Sequence, residues 1–148
     1  MEIITFDKEF VERTKTIVEQ YCVDTFELNV TLLLNCLAGL VGLPIERTET
    51  CESSFKNACV AKLRTMGVIV KYTDDDKLFR TVKNALSHMY IHTDNQDKRI
   101  AKIILKDKKN RGMPEHTELH FTVAQLKAFA LFVADQHLNR FLKYKTTT

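Results

Sequence analysis

The stretch Leu78 to Ile91, LFRTVKNALSHMYI, carries most of the information about the fold of this chain. Its apolar residues recur every three or four positions, which predicts an amphipathic helix with one buried face. The acidic run at residues 74–76 suits the helix N-terminus, where it can cap backbone N–H groups and complement the helix dipole. Three adjacent residues do not converge on one ion, so we favour capping over metal binding. The apolar positions of this helix are Leu78, Phe79, Val82, Leu86 and Met89.

The opposite side of the same helix is polar. Arg80, Asn84 and His88 are spaced by four residues, so successive side chains are rotated by about 40° and form one stripe. Lys83 lies near the edge of that stripe. Such a stripe of basic, amide and imidazole side chains either faces solvent or forms a site for an anion. The spacing alone favours the interpretation that it faces solvent.

Three further helices are predicted before this one. The first begins at Asp7, and the third runs from Thr48 or Thr50 to about Met66, where Gly67 closes it. The second, from about Asp24 to Val41, is apolar around nearly its whole circumference, so it belongs at the centre of the fold or in a dimer interface. The expected buried positions are Phe10, Ile17, Val18 and Tyr21 in the first helix and Phe55, Cys59, Leu63 and Met66 in the third.

After the polar-striped helix the periodicity changes. Arg99–Lys106 is predicted to be a strand, with a short partner around Leu119 and Phe121 and a polar loop over residues 107–117. Thr122 and Gln125 have the spacing of a capping box for a final helix. Residues 68–70 are predicted to form a further short extended segment. We expect one all-α domain over residues 1–148, a bundle of about five helices with a small β-hairpin before the last.

Composition restricts the classes of function. With 45% apolar and 28% charged residues, a chain of 148 residues buries an adequate core without disulfides or metal, so we expect no cofactor. The four cysteines contain no Cys-x-x-Cys pair and no His pair has zinc-site spacing, so no metal site is expected. The apolar run Val30–Leu43 is shorter than the about 20 residues that cross a bilayer, and no secretory signal is visible. A cytoplasmic protein is expected.

Charge is unevenly distributed. Residues 1–52 contain four basic and ten acidic side chains, whereas residues 53–148 contain eighteen and nine. Seven cations cluster around the predicted hairpin and are candidates for binding an RNA backbone; the alternative is that lysines on an edge strand prevent aggregation. No aromatic residue interleaves with them, so base stacking is not indicated. The cluster comprises Lys98, Arg99, Lys102, Lys106, Lys108, Lys109 and Arg111.

The polar stripe resembles the motif of the HEPN superfamily, commonly R-N-x-x-x-H. Asn84 and His88 match it, whereas Lys83 occupies the position of the family's Arg. The leucine-rich second helix, with LLLNCLAGLVGLP at residues 32–44, the hairpin after the motif helix and the capped final helix resemble a plasmid- and phage-associated HEPN branch. The resemblance covers most of the chain.

This resemblance implies a metal-independent endoribonuclease of a defence, toxin or mobile-element system, in which two motif helices meet in a homodimer. A cognate antitoxin or other partner protein is a further expectation. His88 would move protons near neutral pH, a cation would stabilise the phosphorane, and Asn84 would orient His88 or the phosphate. Lys83 keeps the charge of the family's Arg but loses its two-pronged donor geometry, which Arg80 could supply instead.

Two other interpretations stay open. The first is a catalytically inactive HEPN module whose motif helix forms a dimer or partner surface that binds RNA, nucleotide or protein. The second is an unrelated helical interaction domain whose polar stripe is simply exposed. The position of His88 discriminates between them, because a site needs the imidazole near a cation and an opening.

Overall fold

The computed structural model describes residues 2–20, 27–43, 49–71, 75–96, 99–108 and 116–146. Its four strands form one antiparallel sheet in the order β1-β4-β3-β2. None of the helices in these ranges is long and apolar enough to cross a membrane. The elements in chain order are α1 (Glu2–Glu19), α2 (Glu27–Gly42), α3 (Glu49–Thr65), β1 (Ile69–Lys71), α4 (Asp75–Ser87), β2 (Ile91–Gln96), β3 (Arg99–Lys108), β4 (His116–Phe121) and α5 (Val123–Thr146).

The five helices were predicted, but the expected all-α class is wrong because the sheet is larger than a hairpin. The predicted pairing of the two strands is confirmed, with Leu105 opposite Leu119. The predicted extended segment after Gly67 is strand β1, whose pairing with the far side of β4 was not predicted. β2 was missed because its sequence, IHTDNQ, is polar and lacks the alternation of a half-buried strand. Asp107 and Thr117, expected in the loop, pair with each other across β3 and β4.

One face of the sheet packs against the helices. Ile103, Leu105, Leu119 and Phe121 are completely buried there and belong to the same core as residues of α2, α4 and α5. The buried positions of α2 are Val30, Leu33, Cys36, Leu37, Leu40 and Val41. The predicted central place of α2 is therefore confirmed, and only Leu32 among its large apolar residues in the described part is strongly exposed.

The buried face of α1 differs from the prediction. Val11, Thr14 and Val18 are buried, whereas Ile17 is 43% exposed, because the face that packs on α5 follows the line through residues 11, 14 and 18. Phe10 is half-buried against α2 at Gly39, where an added Cβ would lie 2.9 Å from the Phe10 ring. Tyr21 lies outside the described residues.

Both predicted helix boundaries around the sheet are confirmed. Val68 N donates to Leu63 O at 3.2 Å past Gly67, whose φ of 73° gives α3 a left-handed C-terminal cap. At the start of α5, Thr122 N donates to Gln125 Oε1 and Gln125 N donates to Thr122 Oγ1, which completes the capping box. Gln125 Nε2 also donates to Met66 O at 3.0 Å, so the cap of α5 is tied to the end of α3.

The two described cysteine side chains behave as small hydrophobes. Cys36 and Cys59 are buried free thiols, and burial raises the pKa of Cys59 to about 12, so this thiol stays protonated. Cys22 and the side chain of Cys51 lie outside the described residues.

Within the described ranges, no three His, Cys, Asp or Glu residues are grouped closely enough to hold a metal ion. α4 begins at Asp75, within the acidic run that was predicted at its N-terminus, and Asp74 of that run lies outside the described residues.

A buried histidine, which the sequence did not reveal, joins α2 to α5. His137 is fully buried; its Nε2 lies 2.7 Å from Leu40 O and its Nδ1 accepts from Arg140 Nη2 at 3.0 Å. Leu40 O can only accept and Arg140 can only donate, so the ring is the neutral tautomer with its proton on Nε2. Burial, with a smaller contribution from the charge of Arg140, lowers the pKa of His137 to about 4.

This pKa predicts loss of stability in mild acid. In the unfolded chain the imidazole takes up its proton below its ordinary pKa of 6.5, whereas the folded protein resists protonation until about pH 4. The contribution of His137 to the free energy of unfolding is therefore complete above pH 6.5. It falls by about 3 kcal/mol as the pH decreases from 6.5 to 4. Urea unfolding at pH 7 and 4.5 should show the loss in wild type and a smaller one in His137→Gln. The exposed control His92→Gln should behave like wild type; equal pH dependence in all three proteins would contradict the assignment.

Candidate functional site

Three of the four residues singled out from the sequence lie away from the core, and the fourth, Asn84, lies at the border with the sheet. Arg80, Lys83 and His88 are exposed and Asn84 is half-buried, whereas Leu78, Val82 and Leu86 on the other side are buried. The imidazole is therefore open to solvent on the same helix as two exposed cations.

His88 stands where α4 ends. Its backbone N donates to Asn84 O, and two residues later Tyr90 N donates to Ala85 O, both at 2.9 Å. Met89 between them has a φ of 56°, so α4 ends in the same left-handed cap as α3, with methionine in the place of glycine. Met89 was predicted on the buried face but is 69% exposed, because the helix has already terminated.

The tight ending of α4 brings an aromatic residue beside the imidazole. The ring centroids of His88 and Tyr90 are 5.7 Å apart, with an angle of 32° between the planes. Lys106 N donates to Tyr90 O at 2.9 Å, which extends the pairing of β2 with β3 by one residue. His88 and Tyr90 thus meet the sheet at the position of Lys106. The sequence analysis did not single out Tyr90, because its position beside His88 depends on strand β2, which was not predicted.

Asn84 has a partner far away in sequence. Its Nδ2 donates to Asp107 Oδ2 at 3.1 Å, so the carboxamide is held by a carboxylate of β3. This contact joins the motif helix to the central part of the sheet, in addition to the apolar packing between them. Asp107 was placed in a loop by sequence reasoning, and 23 residues separate the two partners, so no local pattern indicated the pair.

The predicted RNA-binding cluster is described only in part. Lys102 and Lys106 are half-buried on β3, and the backbones of Arg99 and Lys108 form its two ends. Lys98, Lys109 and Arg111 lie outside the described residues. The sheet order places β3 between β4 and β2, so protection of an open edge does not explain its lysines.

Glu118 lies opposite Lys106 on β4. Its Oε1 is 3.8 Å from Lys106 Nζ, and its Oε2 is 2.9 Å from His120 Nε2. The hydrogen bond from His120, followed by the charge of Lys106, lowers the pKa of Glu118 and keeps it ionised. The positive charge of Lys106 is therefore partly balanced within the sheet.

The model of the HEPN pEK499 p136 family matches residues 1–143. The chain belongs to this plasmid-associated HEPN family. Neither a curated protein nor a solved structure matches the chain significantly. In this HEPN protein, the three residues that the sequence analysis compared with the superfamily motif lie on α4 or at its end; they are Lys83, Asn84 and His88.

Replacing Met89 tests the cap that positions His88. A left-handed backbone costs a residue with a Cβ about 1–2 kcal/mol, and glycine avoids that cost while losing about 0.4–1 kcal/mol through the greater freedom of the unfolded chain. Met89→Gly should therefore raise the free energy of unfolding in urea by about 0.5–1 kcal/mol. Ser87→Gly, at the last residue of α4, where the backbone is still helical, should lower it. A destabilised Met89→Gly would show that the methionine side chain matters more than the backbone.

Proposed function

We propose that this HEPN protein is a metal-independent endoribonuclease in which His88 transfers protons. The observation that carries the proposal is the exposed imidazole of His88 at the end of α4, on the same helix as the exposed cations Arg80 and Lys83. A substrate arriving from solvent can reach all three side chains. The buried side chains described on α4 are apolar except for Thr81, whose hydroxyl donates to Lys77 O. A polar site on this helix therefore has to lie on its exposed side.

The chemistry needs proton transfer at two oxygens. The 2′-hydroxyl of the RNA attacks the adjacent phosphorus and loses its proton to a base, while the departing 5′-oxygen receives a proton from an acid. An imidazole can do either near neutral pH. One chain brings one His88, so a homodimer in which two motif helices meet would supply both groups, as the superfamily's paired active sites imply.

A cation must stabilise the charge that develops on the phosphorane. Arginine does this with two parallel hydrogen bonds, whereas lysine is a flexible point charge. Lys83 occupies the motif position, and Arg80 lies on the same exposed side of α4. These two side chains are the candidates for that cation, and Lys83 in place of arginine is expected to make cleavage slow.

A catalytically inactive HEPN module is the second candidate. The hydrogen bond between Asn84 and Asp107 favours it, because the carboxamide is already engaged and the carboxylate repels a phosphate that approaches it. Such a protein would use α4 as a surface for RNA, nucleotide, a second copy or an antitoxin-like partner. In either case we propose a role in a plasmid, phage or defence system and a cytoplasmic location, on the basis of the family alone.

Two substitutions test the catalytic proposal. Wild-type protein should cleave labelled single-stranded RNA in the presence of EDTA, and His88→Ala should lose that cleavage. Lys83→Arg restores the two-pronged donor at an exposed position, so it should accelerate cleavage, by up to about 100-fold if the donor is well oriented. The measurement is the single-turnover rate constant on a denaturing gel.

Lys8→Arg is the matched control and should leave the rate unchanged, because Lys8 lies on α1, away from α4, and pairs there with Glu12. If Lys83→Arg has no effect but Arg80→Ala abolishes cleavage, Arg80 supplies the guanidinium. Equal cleavage by wild type and His88→Ala would exclude His88 from catalysis. No cleavage by wild type or Lys83→Arg would favour the inactive module.

A further inference from the structure

The face of the sheet that points away from the helices carries a mixed set of side chains, which we call the outer face. Ile103 and Leu105 of β3 are in the core, so the alternation of a strand directs Lys102, Ile104 and Lys106 to the other side. Ile104 is accordingly absent from the core cluster although it is mostly buried.

Strand pairing places aromatic rings next to these lysines. Tyr90 lies opposite Lys106, and His92 lies opposite Ile104, so both rings belong to the outer face. Tyr90 is 39% exposed, and the side chain of His92 is 60% exposed. Residues two apart on one strand are separated by about 7 Å, which leaves room for each ring to contact a different base. The sequence suggested no aromatic residue among the cations because it did not reveal this pairing.

Charge on the outer face is suited to a polyanion. By register this face carries Lys71, Lys102 and Lys106, which outnumber the two acidic side chains described on it. Glu118 is bound by His120, and Asp94 Oδ1 lies 3.3 Å from His92 Nε2. The remaining lysine charge is in line with the twofold excess of basic residues after residue 52.

We propose that the outer face binds single-stranded RNA, with Tyr90 and His92 stacking on bases and Lys102 and Lys106 contacting phosphates. Stacking needs unpaired bases, because the faces of bases inside a duplex are covered by their neighbours. RNA bound on the outer face would lead to the proposed active site, because the ring of Tyr90 lies 5.7 Å from that of His88. The inference rests on the proposed function only for this last step, the delivery of a phosphate to His88.

Binding is measured by fluorescence anisotropy with a labelled 12-nucleotide 2′-O-methyl oligouridylate, which cannot be cleaved through its own 2′-oxygen. Tyr90→Leu removes the ring and should weaken binding at least about 5-fold, without changing the dependence on salt. Lys106→Ala removes one phosphate contact and should reduce the slope of log K against log salt by about 0.7.

Tyr90→Phe keeps the ring and should retain most of the affinity, whereas Lys8→Ala on α1 removes a charge elsewhere and should bind as wild type does. The same strand hybridised to its complement should bind more weakly than the single strand. Binding by Tyr90→Leu as tight as that of wild type, or equal binding of the duplex, overturns the proposal.

The non-cleavable probe separates this inference from the nuclease proposal. Binding that depends on Tyr90, combined with no cleavage of the unmodified oligouridylate, leaves the outer face as an RNA site and rejects the nuclease. Cleavage that depends on His88, combined with binding that is indifferent to Tyr90 and Lys106, rejects the outer face and leaves the nuclease.

Discussion

The structure depends on the one-sided burial of β3, one of the two strands that have a neighbour on each side. Ile103 and Leu105 enter the core, and each such aliphatic side chain contributes about 1.5–3 kcal/mol by leaving water. A shift of one residue would expose both and turn Lys102 and Lys106 towards the helices, where an unpaired charge is costly. The alternation of apolar and basic residues therefore sets the register, and the register sets which groups lie on each face.

The candidate site follows from that register. α4 packs on the buried face of β3, and Asn84 reaches Asp107 along the same strand. The left-handed turn at Met89 then ends α4 and brings the chain round to pair with β3 from Tyr90 onwards. His88, at the end of the helix, is left in the open beside the ring of Tyr90. Helix, turn and strand together place an imidazole where helix and outer face meet.

Features decided by local patterns were predictable from the sequence. The buried stripe of α3, the capping box of α5 and the pairing of β3 with β4 come from periodicity and turn chemistry within short segments. Contacts between distant segments were not predictable. β2 is a polar edge strand that forms because β3 is available as its pairing partner. The hydrogen bond between Asn84 and Asp107 joins residues 23 positions apart, and the one between His137 and Leu40 joins residues 97 positions apart. The motif residues were found, but their surroundings, Tyr90 above all, required the fold.

The most direct test of this account is to map where RNA contacts the protein. Backbone amide chemical shifts of the ¹⁵N-labelled protein, recorded while the non-cleavable oligouridylate is added, report every residue near the bound strand. The account predicts the largest changes at residues 88–92 and 102–106 and none along α1. Changes concentrated on α1 or α5, with residues 88–92 unaffected, would contradict it.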